Sequence, residues 1–183
     1  ALQGTVEEGA DKWQFERFIC AHTIMMALEG VPAFYIHSML GTQNDYEKVK
    51  HTNNNRAINR HIWQLDELNE QLSSPASSHS RVLSELQRLL KIRKQQPAFH
   101  PNATQFTLHL GEKVFAFWRE SIEREQSIFS VTNIHNEKVS ITLTDINLIT
   151  TDKWRDLITG WKLDDTSFCL ELAPYQSVWL SNS

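Results

Sequence analysis

The sequence predicts an α/β segment followed by an all-β antiparallel sandwich. Three observations carry this. Apolar residues recur at helical spacing as far as residue 95, then alternate with a period of two. Within the helical part, "VPAFYIH" (31–37) is apolar nearly throughout and too short for a helix. The change of period coincides with Pro97, which stops a helix and places a domain boundary between Gln96 and Pro101. The expected domains are 1–96 and 97–183.

The first element is a helix over 11–29. Asp11 is suited to its N-cap, and Gly30 can take the left-handed position after its end. Phe15, Phe18, Ile19, His22, Met25 and Met26 form one face of this helix. Cys20, Ala21, Ile24, Ala27 and Leu28 leave the opposite side apolar as well, so the helix is expected to be covered from several sides. "VPAFYIH" follows as a strand covered on both faces, the habit of parallel sheets. Pro32 near its start need not donate to a ladder. A long polar loop then runs from Ser38 to Arg60. Ile62, Leu65, Leu68 and Leu72 mark a helix over 61–72, and "SSPASSHS" (73–80) is a connector. Val82, Leu83, Leu86, Leu89, Leu90 and Arg93 share a face of a helix over 81–95.

The strands expected afterwards are "TQFTLHL", "KVFAFWRE", "SIFSVTN", "KVSITLT", "SFCLELA" and "QSVWLS". Gly111-Glu112 makes a tight turn, and "ESIEREQ" a longer one. Strands at this spacing, with no helix between them, indicate a sandwich or Greek key.

Composition narrows the function. At 183 residues, 40% hydrophobic and 22% charged, the chain can bury an ordinary core. A net charge of −4 disfavours nucleic acid as a partner, because phosphate binding needs a basic face. No apolar run is long enough to span a membrane as a helix. Cys20 and Cys169 form no C-x-x-C, and the eight histidines show no H-E-x-x-H, so no metal is expected. Two buried free thiols and a reduced, cytoplasmic setting fit this usage.

The long loop is the candidate site, since parallel α/β folds place their sites at the carboxyl ends of strands. Asn44, Asp45, Arg56, Asn59, Arg60 and His61 supply amides, a carboxylate, guanidinium groups and an imidazole. Such groups suit a ligand covered in hydroxyls. They equally suit a solvated loop that bonds its own backbone. No catalytic set is visible. Asp45 and Glu47 are neighbours on the chain rather than carboxylates flanking a bond about 5 Å apart, and Glu7 and Glu8 read as a solvated pair. Trp118, Trp154, Trp161 and Trp179 of the sandwich are either core or, if exposed, platforms for sugar rings, with Trp161 the best candidate for exposure.

G-x-P-A-x-Y at 30–35, L-G-x-x-N-D at 40–45 and T-N-N-x-R-x-I-N-R-H at 52–61 resemble the eighth barrel strand and following loop of sucrose phosphorylase-like glucosyl phosphorylases. These belong to the α-amylase superfamily (glycoside hydrolase family 13) of (β/α)8 barrels. "ERFICAHTIMMALEG" is similar to the family's seventh barrel helix and residues 81–96 to its eighth. "WRDLITG" and "LAPYQSVWL" resemble the sandwich that follows the barrel.

The resemblance implies the last helix–strand–helix part of a TIM barrel and a C-terminal β-sandwich. It implies a glycosyltransferase that converts sucrose or a related α-glucoside to α-glucose 1-phosphate with retention, using inorganic phosphate as substrate and no cofactor. It implies that Arg56 contacts the glucosyl ring and that Asn44 and Asp45 brace the loop. Asn59, Arg60 and His61 match the pattern with less defined roles, and Arg60 could equally hold the loop shut against backbone carbonyls. The "YIHSMLG" version of the strand end points to phosphorylated or acidic acceptors. The family's catalytic carboxylates match no residue here, so the 183 residues alone are expected to be inactive. A fragment of a barrel is also expected to expose apolar surface and self-associate. The alternative reading is a carbohydrate-binding or purely structural sandwich module.

Overall fold

The computed structural model describes residues 9–146, 153–163 and 169–183. Glu7 and Glu8, and Ser167 and Phe168 of the expected strand at 167–173, lie outside the described residues. Contacts group the chain into two units. One takes in Ala33–Arg88 and the residues up to Ile19, the other Cys20–Pro32 and Leu89–Ser183. The divisions at Ile19/Cys20 and Arg88/Leu89 fall inside helices, and the one at Pro32/Ala33 falls in a stretch without regular secondary structure.

Helix α1 spans Gln14–Ala27. Asp11 accepts from the Trp13 N–H at 2.9 Å and pairs with Arg17 at 2.7 Å, so it holds the turn that leads into the helix. The buried residues of α1 are Cys20, Thr23, Met26 and Ala27. This corrects the predicted face, of which Met26 alone is buried. Gly30 has φ 90°, the left-handed conformation expected after the helix.

The predicted strand at 31–37 is not formed. Residues 31–35 have no regular secondary structure, and Ile36–Met39 make a single helical turn, α2. Among the described residues nothing pairs with this segment in a sheet. A strand is defined by hydrogen bonds to a neighbour, and a parallel neighbour needs a crossover that this sequence does not supply. Val31 is 80% exposed and Ile36 59%, so the apolar run has no cover.

The predicted loop at 38–60 contains helix α3 (Tyr46–Thr52) and a 3-10 helix (Asn55–Asn59). Helix α4 (Leu65–Ser73) starts later than predicted, leaving Ile62 and Leu65 largely exposed. Helix α5 (Ser78–Arg93) takes the last three residues of the expected connector. Ser77 explains this early start, since its Oγ accepts from the His79 N–H at 3.1 Å and caps the first turn. Val82, Leu86 and Leu89 of α5 are buried, as their shared face predicts.

The sandwich has a six-stranded antiparallel sheet in the order β1-β2-β3-β8-β5-β6 and a two-stranded sheet β4-β7. Its strands are β1 (Thr104–Leu108), β2 (Val114–Glu120), β3 (Ser127–Asn133), β4 (Val139–Thr142), β5 (Trp154–Asp156), β6 (Lys162–Leu163), β7 (Cys169–Leu172) and β8 (Ser177–Ser181). Alternation sends Val114, Ala116, Phe129, Val131, Val178 and Leu180 into a core shared with Ile141, Leu170 and Leu172 of the small sheet. The other face of the large sheet is buried too. There Phe117, Arg119, Ile128, Ser130, Trp179 and Ser181 lie among the least exposed residues of the molecule.

Arg119 is fully buried and donates to the carbonyls of Ala27, His100 and Ala103 at 2.8, 2.8 and 3.3 Å. Arg93 donates to Met26 O at 2.6 Å and Phe99 O at 3.0 Å. Burial lowers the pKa of both guanidinium groups. Cys20 is buried, but Cys169 is exposed, which corrects the expectation of two buried thiols. Cys169 is the first residue of β7 and points away from the core side taken by Leu170 and Leu172.

Candidate functional site

After helix α2 the predicted loop passes through Gly41, whose φ is 60°. A Cβ there would lie 3.2 Å from the Val82 side chain, so only glycine lets the chain pass this close to α5. The preceding carbonyl, Leu40 O, lies 2.7 Å from His79 Nδ1. Thr42 follows, and its hydroxyl meets two rings. Trp63 Nε1 donates to it at 3.0 Å, and His37 Nδ1 lies 3.2 Å away. His61 and His79 stand edge-on to the Trp63 indole, with centroids 4.7 and 4.9 Å away. Burial and the nearby His61 both lower the pKa of His37.

Asp45 ties the next level. Its Oδ1 accepts from the Lys48 N–H at 2.8 Å and caps α3. Its own N–H donates to Ile58 O at 2.7 Å, and its Oδ2 lies 3.8 Å from His61 Nδ1. Lys48 Nζ reaches Arg60 O at 2.6 Å, and Tyr35 OH donates to Asn59 O at 3.1 Å. Helix α3 ends on Asn53 in the left-handed conformation, which turns the chain back into the 3-10 helix that carries Arg56. Asn54 starts that helix by accepting from the Arg56 N–H at 3.0 Å.

These contacts define an open groove of about 640 Å³ lined in part by Thr42, Asn44, Asp45, His61, Trp63 and His79. Of the predicted site residues, Asn44, Asp45 and His61 line it. Arg56, Asn59 and Arg60 are exposed on the same loop, outside the groove. Thr42, Trp63 and His79 were missed by the sequence reading. Nothing in the order of residues marks them, because Thr42 and Trp63 meet across 21 positions. No group of three or more His, Cys, Asp or Glu side chains among the described residues could hold a metal ion.

The sandwich offers a smaller groove of about 260 Å³ lined in part by Asp156, Trp161, Cys169 and Glu171. Trp161 is 45% exposed, as expected, whereas Trp154 and Trp179 are buried. No described helix is long and apolar enough to cross a membrane.

No family model matches the chain. Curated relatives do. The chain is 33% identical over 180 residues to a glucosylglycerate phosphorylase of Allomeiothermus silvanus, covering 98% of this chain and 29% of that protein. It is 34% identical over 174 residues to a glucosylglycerate phosphorylase of Escherichia coli K12, covering 94% and 29% respectively. The chain thus spans about three-tenths of the length of these relatives. Among solved structures, an α-amylase from Geobacillus thermoleovorans superposes with a TM-score of 0.69 over 91% of this chain and 33% of its own, at 13% identity. That likeness extends the fold to α-amylase-type proteins. By sequence the chain belongs with the glucosylglycerate and sucrose phosphorylases, of which it spans a part, and it shares the fold of α-amylase-type proteins.

Proposed function

We propose that the chain is the C-terminal part of a retaining glucosyl phosphorylase and contributes part of its glucosyl-binding loop. On this reading residues 1–96 end the catalytic barrel and 97–183 form the sandwich that follows. The observation that carries it is the match to glucosylglycerate phosphorylases over nearly the whole chain, including the loop that presents Arg56. The same match favours an acidic acceptor of the glycerate kind.

The reaction is a double displacement. A carboxylate attacks the anomeric carbon as the leaving oxygen is protonated, and a phosphate oxygen then displaces that carboxylate with net retention. Both carboxyl groups belong to segments outside these 183 residues. Of the loop's acidic residues on the groove, Asp45 is already committed to the cap of α3 and Glu47 to an ion pair with Lys50. The role left to this chain is to grip the glucosyl unit. A guanidinium can fork onto adjacent ring hydroxyls, and on this reading that role falls to Arg56. Asn44 and Asp45 brace the loop, and Asn59, Arg60 and His61 complete its return. The sandwich serves as a structural cap. Use of intracellular phosphate fits a cytoplasmic enzyme.

Arg56→Ala in the full-length phosphorylase tests this. Removing a charge-assisted contact should lower kcat/KM for the glucosyl donor by about a hundredfold. Unchanged donor turnover would overturn the site assignment. The 183 residues alone should release no glucose 1-phosphate.

A further inference from the structure

The loop from Thr42 to Trp63 is closed by four cross-links stacked along its length. At its base Trp63 Nε1 donates to Thr42 Oγ1 at 3.0 Å. Above that His61 Nδ1 faces Asp45 Oδ2 at 3.8 Å, and the Asp45 N–H bonds Ile58 O at 2.7 Å. Near the tip Lys48 Nζ reaches Arg60 O at 2.6 Å. The upper links join residues inside the loop and move with it. The basal link joins the two ends of the loop, and Tyr35 OH, from outside it, donates to Asn59 O at 3.1 Å. The indole of the basal link is wedged between His61 and His79, and its acceptor hydroxyl is also held by His37. His79 belongs to α5 and is in turn set by Leu40 O. Arg56 rides on a 3-10 helix held at two places, by Tyr35 OH at Asn59 O and by the Asp45 N–H at Ile58 O, and Asp45 stands three residues beyond Thr42.

We propose that Trp63 and Thr42 are positioning residues for the glucosyl donor, acting through the closed loop on Arg56. Trp63 has a donor only, so the hydroxyl must accept from it. One hydroxyl therefore sets the register between the two ends of a 20-residue excursion. The function of the pair is geometric: it fixes where the guanidinium stands before substrate arrives, which lowers the cost of ordering the loop on binding.

The inference rests on the assignment of Arg56 to the donor site. Two measurements separate the ideas. In the full-length phosphorylase, Thr42→Val keeps the side chain's shape, Trp63→Phe keeps an aromatic ring, and both remove the basal hydrogen bond. Each should raise KM for the donor about fivefold, the factor expected for one hydrogen bond, with kcat within about twofold of its starting value. The double variant should be no worse than either single one, and Thr42→Ser should restore the original KM.

In the 183-residue chain, amide exchange at Asp45 should quicken about fivefold in Thr42→Val, while the Asn133 amide of the sandwich should not change. Loss of donor binding in Arg56→Ala together with unchanged KM in both basal variants would overturn the positioning role alone. So would a Thr42→Ser variant as impaired as Thr42→Val, or an unaltered Asp45 amide. An inert Arg56→Ala would overturn the donor-site assignment instead, and the amide measurement would still decide whether Thr42 anchors the loop.

Discussion

Two apolar stretches of similar composition meet different fates in this molecule. "SVWLS" in β8 is buried throughout its centre, with Val178, Trp179 and Leu180 each at most 2% exposed. "VPAFYIH" is left without a sheet, with Val31, Tyr35 and Ile36 exposed. The difference lies in the neighbours. β8 has β3 on one side and β5 on the other, both supplied by the same chain. Residues 31–37 have apolar side chains suited to burial on two faces and no strand beside them. Local sequence supplies the material for a strand, and the ladder needs partners.

The largest expected effect breaks the well-covered region. Arg119→Ala would remove the donor to three carbonyls, of which those of Ala27 and Ala103 are met in buried surroundings. We expect a loss of about 4 kcal/mol in urea unfolding followed by tryptophan fluorescence. A loss under about 1 kcal/mol would mean that those carbonyls find other donors.

An intermediate effect sharpens the contrast within the sandwich unit, between its two thiols. Burial pushes Cys20 up to about 11, and exposed Cys169 should react with a thiol reagent while Cys20 stays inert in the native protein. Since the folded pKa of Cys20 is raised, its contribution is complete below the unfolded value and fades as pH climbs toward about 11. Cys20→Ala should remove that part of the alkaline decline in stability, and an identical decline in the variant would refute the linkage.

The smallest effect belongs to the uncovered region. Ile36→Ser with Ile62→Ser should change unfolding stability by no more than about 0.5 kcal/mol, because both side chains already face solvent. The pair should nonetheless reduce any concentration-dependent association seen in size-exclusion chromatography. Unchanged association would place the sticky surface elsewhere.

β4 and β7 were readable from their alternation, whereas β3 and β8 are buried on both faces and were readable as short β-branched and aromatic runs between turns. β5 and β6 escaped because three and two residues are too few to show a period. Helices α1 and α5 were legible from their apolar spacing, and α1 buries Cys20 and Ala27 of its expected second side more fully than the larger side chains Phe15, Phe18 and Ile19 of its first. Small residues win there because Arg119 comes in to bond Ala27 O, which demands close approach. In the candidate site the loop and its polar residues could be read from R-x-I-N-R and the Asn-rich run. The short helices inside it could not, since α3 depends on one Asp45 cap and a left-handed Asn53. The Thr42–Trp63 pairing was out of reach for the same reason as any contact between distant residues: it is made by the fold.

The two buried arginines have one more consequence. Arg93 and Arg119 bond Met26 O and Ala27 O, the last turn of α1, where the helix dipole gathers negative partial charge. The helix end supplies part of their counter-charge, beside the Glu29 carboxylate that also favours the charged form of Arg119. Unwinding α1 from that end would take one carbonyl acceptor from each buried guanidinium. The helix should therefore open in one direction only, from Gln14 toward Ala27, and give way last at the end where an ordinary helix frays first.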